Sequence, residues 1–215
     1  SIEGKETIPN GWSKRLRSFD APRVPIAVAY RYREREYGPK LVRFYTLKND
    51  KKHGLGTTPL PNGHVMVYRA DEHDGLRHQA AFALKYVPIG DELAINLGVD
   101  PNVGFERRVL RSWREEVWMK LARVNTYVRA IGGGSRIERD AKVVGWNDHA
   151  LVSQQVRNFT GRAIRLEMRQ RIPGDARFTS ELEAKRHDYQ TVEVSAHIEP
   201  GQTRVRYINR WHLEK

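Results

Sequence analysis

The chain has 215 residues, of which 39% are hydrophobic, and a mean hydropathy of -0.69: enough apolar side chain for a substantial core, and too polar overall for a membrane-embedded bundle. It contains no cysteine, which excludes disulfide staples, thiolate metal centres and thiol catalysis. The net charge is +12, and 27 of the 38 basic residues are arginine, so an anionic partner would meet planar guanidinium forks more often than ammonium groups.

The opening residues Ser1-Ile2-Glu3-Gly4-Lys5 lack the basic region and apolar run of a secretory leader. The longest apolar stretch, residues 24–30, falls well short of the roughly 20 needed to cross a bilayer, so no transmembrane segment is expected. Turn signals then recur at close to the about 8 to 12 residues that separate strands in small β domains. They are Tyr37-Gly38-Pro39, Asn49-Asp50, Pro61-Asn62-Gly63, Asp74-Gly75, Pro88-Ile89-Gly90-Asp91 and Asp100-Pro101-Asn102. Glycine admits positive φ, proline presets φ, and Asn or Asp side chains bond the nearby backbone. Between these turns the composition predicts strands over 26–33, 41–47, 64–69, 80–86, 92–97 and 105–110.

Further on, Ser112-Trp113-Arg114-Glu115 reads as a capping box, and Trp113, Val117, Leu121 and Val124 recur at helical spacing, which predicts a short helix over 113–123. The run Ile131-Gly132-Gly133-Gly134-Ser135 reads as a loop. The last third alternates cleanly, with Ile164, Leu166 and Met168 on one face and Arg165, Glu167 and Arg169 on the other. Val192, Val194, Ala196 and Ile198 repeat the pattern, as do Val205 and Tyr207 against Arg204 and Arg206. Strands are also expected at 151–158 and 177–182, with turns at Pro173-Gly174-Asp175 and Glu199-Pro200-Gly201. The expected fold class is all-β: an antiparallel β-sandwich of two packed immunoglobulin- or fibronectin-like units. Their expected bounds are 1–111 and 151–215, joined by a connecting segment over 112–150.

Chemistry is sparse in the sequence. There is no phosphate-cradling GxxxxGK[ST] loop, no serine elbow and no HExxH pair. The acidic turn Asp71-Glu72-His73-Asp74-Gly75 makes Asp71 and Asp74 weak metal candidates, although it does not match a calcium loop and reads first as a hairpin tip. Asp91, Glu92, Glu106 and Glu167 are available acids for glycoside chemistry, with nothing to pair them. The sharpest feature is basic: Arg31, Arg33 and Arg35 alternate along one predicted strand and Arg204, Arg206 and Arg210 along another, so each set is expected on a single sheet face as an anion-binding candidate. Glu34 and Glu36 interleave with the first set. Trp113, Trp118, Trp146 and Trp211 read as core anchors or as a sugar-stacking platform. Asn158-Phe159-Thr160 fits a glycosylation acceptor and equally a turn.

Two segments, Leu55-Gly56-Thr57-Thr58-Pro59-Leu60-Pro61-Asn62-Gly63 and YVPIGDELAINLGVDPNVGFERR over residues 86–108, carry a resemblance. Together with Tyr45-Thr46-Leu47-Lys48-Asn49-Asp50, they resemble the C-terminal β-sandwich domain of unknown function of mucoidy-inhibitor-like bacterial cell-envelope proteins. The likeness is looser over 156–211, and the tryptophan- and glycine-rich segment 112–150 departs from it. The resemblance implies a periplasmic or extracellular location at the cell envelope and contributes no catalytic residue. The functional expectation is a non-catalytic interaction or scaffolding module, without a cofactor, binding a protein or an anionic glycan. The alternatives are a periplasmic glycan hydrolase and, less in keeping with the interleaved acids, a nucleic-acid-binding module.

Overall fold

The computed structural model describes residues 7–13, 20–71, 75–121, 126–130, 141–172 and 176–214. The loop 131–135, the turn 173–175 and Asp74 lie outside the described residues. The molecule is nearly all β, with 66% of the described residues in strands and 4% in helix. In chain order the elements are β1 (Ala27–Arg33), α1 (Glu34–Tyr37), β2 (Leu41–Lys48), β3 (Gly63–Ala70), β4 (Leu76–Leu84), β5 (Glu92–Val99) and β6 (Val103–Leu121). They continue with β7 (Tyr127–Arg129), β8 (Ala141–Asn158), β9 (Ile164–Arg171), β10 (Ala176–Ser180), β11 (Ala184–Asp188), β12 (Thr191–Ile198) and β13 (Gly201–Glu214).

Sheet order is β11-β12-β9-β1-β2-β5 in a six-stranded sheet, β10-β13-β8-β6-β7 in a five-stranded sheet, and β3-β4 in a two-stranded one. β1 and β9 run parallel from Ala29↔Arg165 to Arg33↔Arg169, while β12 is antiparallel to β9 and β11, and β8 is antiparallel to β6 and β13. By compactness the chain divides into two units that interleave in sequence, 1–27 with 45–95 and 28–44 with 96–215.

The helix expected over 113–123 is a strand as far as Leu121, and 122–123 lie outside the described residues. β6 runs unbroken in pairing direction against β8 from Val103↔Asn158 to Leu121↔Ala141. Its register shifts between Val109 and Arg111 and again between Glu115 and Trp118. These shifts are bulges, and Trp113, Val117 and Leu121 recur every four residues, an even spacing that a period-two strand meets as readily as a helix. Glu116, inside the second bulge, has φ 52. The apparent capping box dissolves accordingly: Ser112 pairs with Ala150, and the Glu115 carboxylate accepts from Trp113 Nε1 at 3.0 Å. The segment expected to connect two units, 112–150, thus supplies paired strand on both of its flanks.

In the larger unit the alternation read from the sequence is the burial pattern. Ile164, Leu166 and Met168 are buried, as are Tyr30, Tyr32, Val194 and Ile198 from neighbouring strands of the same sheet. Val103 and Val156, from the five-stranded sheet, join them in one core cluster, with Phe105 packed against it. Burying a leucine of this kind contributes about 2 kcal/mol.

Buried polar side chains organise the turns. Asp100, at 4% exposure, accepts from Tyr30 Oη at 2.7 Å, from Arg43 Nη1 at 2.9 Å and from the Asn102 backbone N–H at 3.0 Å. Burial opposes its ionisation, yet the Tyr30 and Asn102 hydrogen bonds and the Arg43 charge hold its carboxyl below the usual range. Asn158 is buried too. Its Nδ2 donates to Arg162 O and Ile198 O while its Oδ1 accepts from the Thr160 N–H and hydroxyl, so this asparagine is a turn former with no amide free to carry a glycan.

In the smaller unit, Asn49 is fully buried and its Nδ2 faces the carbonyls of Thr58, Val87 and Pro88, while its Oδ1 accepts from Gly56 N–H at 2.9 Å. Backbone bonds from Asn49 N–H to Asp91 O and from Gly90 N–H to Asn49 O complete the node. Gly56 is obligatory there, because its φ is +76 and an added Cβ would lie 2.4 Å from the Asp50 Cα.

Asn49→Asp removes the amide donors and buries a charge, so it should cost about 3 kcal/mol and release the protected Gly56 amide to hydrogen exchange. Unchanged protection would refute the node. For Asp100, a depressed folded-state pKa means stability that is complete above the unfolded value near 4 and is lost as pH falls through the folded value. Urea denaturation between pH 5 and about pH 2 should show this decline in the wild type and a flatter profile in Asp100→Asn.

Candidate functional site

The two arginine sets do not form one surface. Arg31 and Arg33 project from the outer face of the six-stranded sheet, but Arg31 donates from Nε to Glu167 at 2.8 Å and covers the Phe44 ring at 4.7 Å. Glu167 also pairs with Arg165 at 3.0 Å, and the next rung joins Arg169 to Glu193 at 2.8 Å. This face is an ion-pair ladder whose charges neutralise one another. Arg35 is not on the strand at all, since β1 ends at Arg33 and Arg35 lies in α1. Arg204, Arg206 and Arg210 share one face of β13, as expected from alternation, with Val205 and Tyr207 buried between them. Arg204 and Arg206 stay exposed, whereas Arg210 is held by Glu116 at 3.0 Å. Glu116 also accepts from Arg129 at 3.1 Å and from Asn147 Nδ2.

What the structure assembles instead is a cleft of about 1050 Å³ within the larger unit, at the point where β1 gives way to α1. Arg33 and Arg35 line it, joined by Arg107, Arg169 and Arg171, with Asn209 also in its wall. The acids Glu34, Glu36 and Asp188 line it too. The hairpin between β11 and β12 forms one wall and is braced. Arg186 donates to the carbonyls of Tyr189 at 2.9 Å and Ala176 at 2.6 Å, Gln190 N–H to Asp188 Oδ1 at 2.7 Å, and Ile172 N–H to Gln190 O at 2.7 Å. Arg33 is paired with Glu36 at 3.0 Å, and Arg171 reaches the Gln190 side chain. Arg35 and Arg107 have no ion-pair partner among the described residues.

Arg107 occupies an inward-facing position of β6, two residues from Phe105, and its Nε donates to Tyr207 Oη at 3.1 Å. Burial opposes its charge, but the Tyr207 hydrogen bond and the fields of Tyr32 and Glu34 keep it firmly protonated. Around it, Tyr32 Oη, Gln154 Oε1 and Asn209 Oδ1 are buried without a hydrogen-bond partner among the described residues. Gln154 stands directly across from Arg107 in the strand register, and Val205 lies on its other side. Each such orphaned group costs about 1 to 3 kcal/mol. No family model, no curated protein and no solved structure matches this chain.

Arg107, Arg169, Arg171 and Asn209 are absent from the residues singled out by sequence. A signal existed for two of them: Val103, Phe105 and Arg107 share one strand parity, as do Val205, Tyr207 and Asn209, so a polar side chain stands where the pattern calls for an apolar one. For Arg169 and Arg171 only the fold brings the β9 terminus to the cleft.

The other expected sites are occupied by structural contacts. Asp71 Oδ1 accepts from Gly75 N–H at 2.8 Å and its N–H donates to Gly75 O at 2.9 Å, closing the turn, and no metal-holding group of three His, Asp or Glu occurs among the described residues. Glu106 pairs with Arg108 and Arg157. The tryptophans do not line up as a platform. Trp113 stacks on His149 at 5.0 Å under Arg111, and Trp146 lies beneath Arg114 and donates to Asp148 at 3.0 Å. Trp118 is partly exposed, and the Trp211 side chain lies outside the description.

Burial, with the Glu34 charge adding to it and Arg107 opposing, pushes the Tyr32 phenol up to about 12. Tyr30 and Tyr207 are raised as well, chiefly by burial. Because these values lie above the unfolded value near 10, the stability they contribute is whole below about pH 10 and disappears as pH rises through the folded values. Phenolate absorbance should therefore resolve a late-titrating subset of the nine tyrosines, coincident with loss of near-ultraviolet dichroism. A single step near pH 10 from an intact fold would contradict the buried phenols.

Proposed function

We propose that the chain is a non-catalytic interaction module of a bacterial envelope protein, built of immunoglobulin-like β-sandwich units, that captures an anionic partner in the arginine-lined cleft of its larger unit. The observation that carries the reading is a cleft whose lining includes two guanidinium groups, Arg35 and Arg107, without an ion-pair partner among the described residues. Arg31, Arg43, Arg165 and Arg169 of the six-stranded sheet are matched to carboxylates, whereas Arg35 and Arg107 bring positive charge into a concave site where a ligand can meet it. The sandwich assignment is supported by a core cluster that draws on both large sheets. Kinship with the mucoidy-inhibitor-like domain rests on the two turn-rich segments, which in the structure converge on Asn49 and on Asp100.

The acids of the cleft favour binding over hydrolysis. Burial works to raise Glu36, but hydrogen bonds from Tyr37 and Arg33 bring it below the usual range, and Asp188 is lowered by the Gln190 N–H and Thr191. A glycosidase needs one carboxyl raised enough to deliver a proton. A nucleic-acid interface would require continuous unpaired positive charge, and the Arg31–Glu167 and Arg169–Glu193 rungs interrupt it.

A heparin-derived tetrasaccharide titrated calorimetrically into the full chain should bind with an affinity that falls steeply between 50 and 300 mM salt. Arg35→Gln should weaken it about fivefold or more, whereas Arg204→Gln, on the exposed face of β13, should leave it unchanged. No binding, or a response flat in salt, would overturn the reading.

A further inference from the structure

The floor of the cleft specifies more than negative charge. Arg107 has five N–H donors, and the single one at Nε is taken by Tyr207, so its outer edge remains to bind an anion in a bidentate way. In the same cleft, the Asn209 side chain is 7% exposed and has an Oδ1 that receives no hydrogen bond among the described residues. Gln154 Oε1 and Tyr32 Oη add two further buried oxygens without a donor. A bound group must therefore accept from Arg107 and donate to Asn209. A carboxylate flanked by hydroxyls supplies both.

Two other features agree. Glu34 lies in the cleft and acts on Arg107 through space, which suits a single negative charge better than a dianion. Tyr189 is 70% exposed at the cleft wall, held by Arg186 through its backbone, and its ring offers an apolar face to the C–H side of a pyranose. The volume, about 1050 Å³, lies at the upper end of the roughly 300–1,000 Å³ typical of small-molecule sites.

We infer that the cleft recognises an acidic sugar, a glycan residue whose carboxylate seats on Arg107 and whose hydroxyl donates to Asn209 Oδ1. This rests on the anion-capture reading above and narrows it to carboxylated glycans. The orphaned oxygens of the free protein become partners in the complex, and the neutral analogue of the same sugar loses the one charge-assisted contact.

Calorimetry on the full 215-residue chain tests it with trigalacturonic acid, its neutral counterpart galactotriose, and a sulfated tetrasaccharide without carboxylates, neocarratetraose sulfate. Trigalacturonic acid should bind, and galactotriose should bind at least about tenfold more weakly to the same unaltered protein, so the comparison does not depend on any variant folding. Arg107→Gln and Asn209→Asp should each weaken trigalacturonic acid about tenfold or more, the second by setting a like charge beside the ligand carboxylate, while Arg204→Gln changes nothing. Equal binding of galactotriose would overturn the inference. Binding of the sulfated tetrasaccharide without trigalacturonic acid would overturn it and leave anion capture standing, and absence of binding by both anionic probes would remove the two together.

Discussion

The antiparallel pairing of β6 with β8 is the constraint on which the larger unit depends. It sets Val103 and Val156 into the core shared with Leu166 and Tyr30, and at the same parity it sets Arg107 against Gln154. Because side chains on a strand alternate, a register that buries the valines also buries the arginine. The cleft floor is thus a consequence of the same hydrogen-bond ladder that builds the core. Moving the register by one residue would exchange Arg107 for the exposed Arg108 and turn the apolar set outward.

Polar side chains close this β structure where the ladders stop. Asn49, Asp100 and Asn158 are each buried; the two asparagines satisfy backbone groups distant in sequence, and Asp100 ties its own turn at Asn102 to the side chains of Tyr30 and Arg43. A carboxamide can do so because it offers donor and acceptor together, and Asp100 because Arg43 and Tyr30 neutralise and solvate its charge. The contrast with Asn209 and Gln154 is informative. They have the same chemistry and comparable burial, yet their oxygens have no partner among the described residues, and Asn209 lines the cleft.

The positive charge of the chain is distributed by the same logic. A net charge of +12 suggests a basic face, yet along β1 and β9 the arginines meet Glu167 and Glu193 across adjacent strands and become structural. Alternation alone places Arg31 and Arg33 on one face correctly. It says nothing of what the neighbouring strand opposes to them, and the parallel partner of β1 is β9, more than a hundred residues away in sequence. Arg35 leaves the pattern because β1 ends at Arg33, and it becomes a cleft residue for that reason.

The sequence by itself determined the all-β class, β9, β12 and the cores of β8 and β13, and the turn-forming roles of Asn49-Asp50, Asp100 and Asn158, because period-two burial and side-chain-to-backbone turns are local properties; it did not reveal β11, whose residues are all exposed. It misread 113–121 as helical, since a spacing of four residues fits strand and helix alike and only pairing with β8 decides between them. Tertiary structure alone decided which arginines are spent on carboxylates and which are left at a ligand's disposal. That choice depends on which strands lie side by side, and strand order is a non-local outcome of burying both sheets' apolar faces at once.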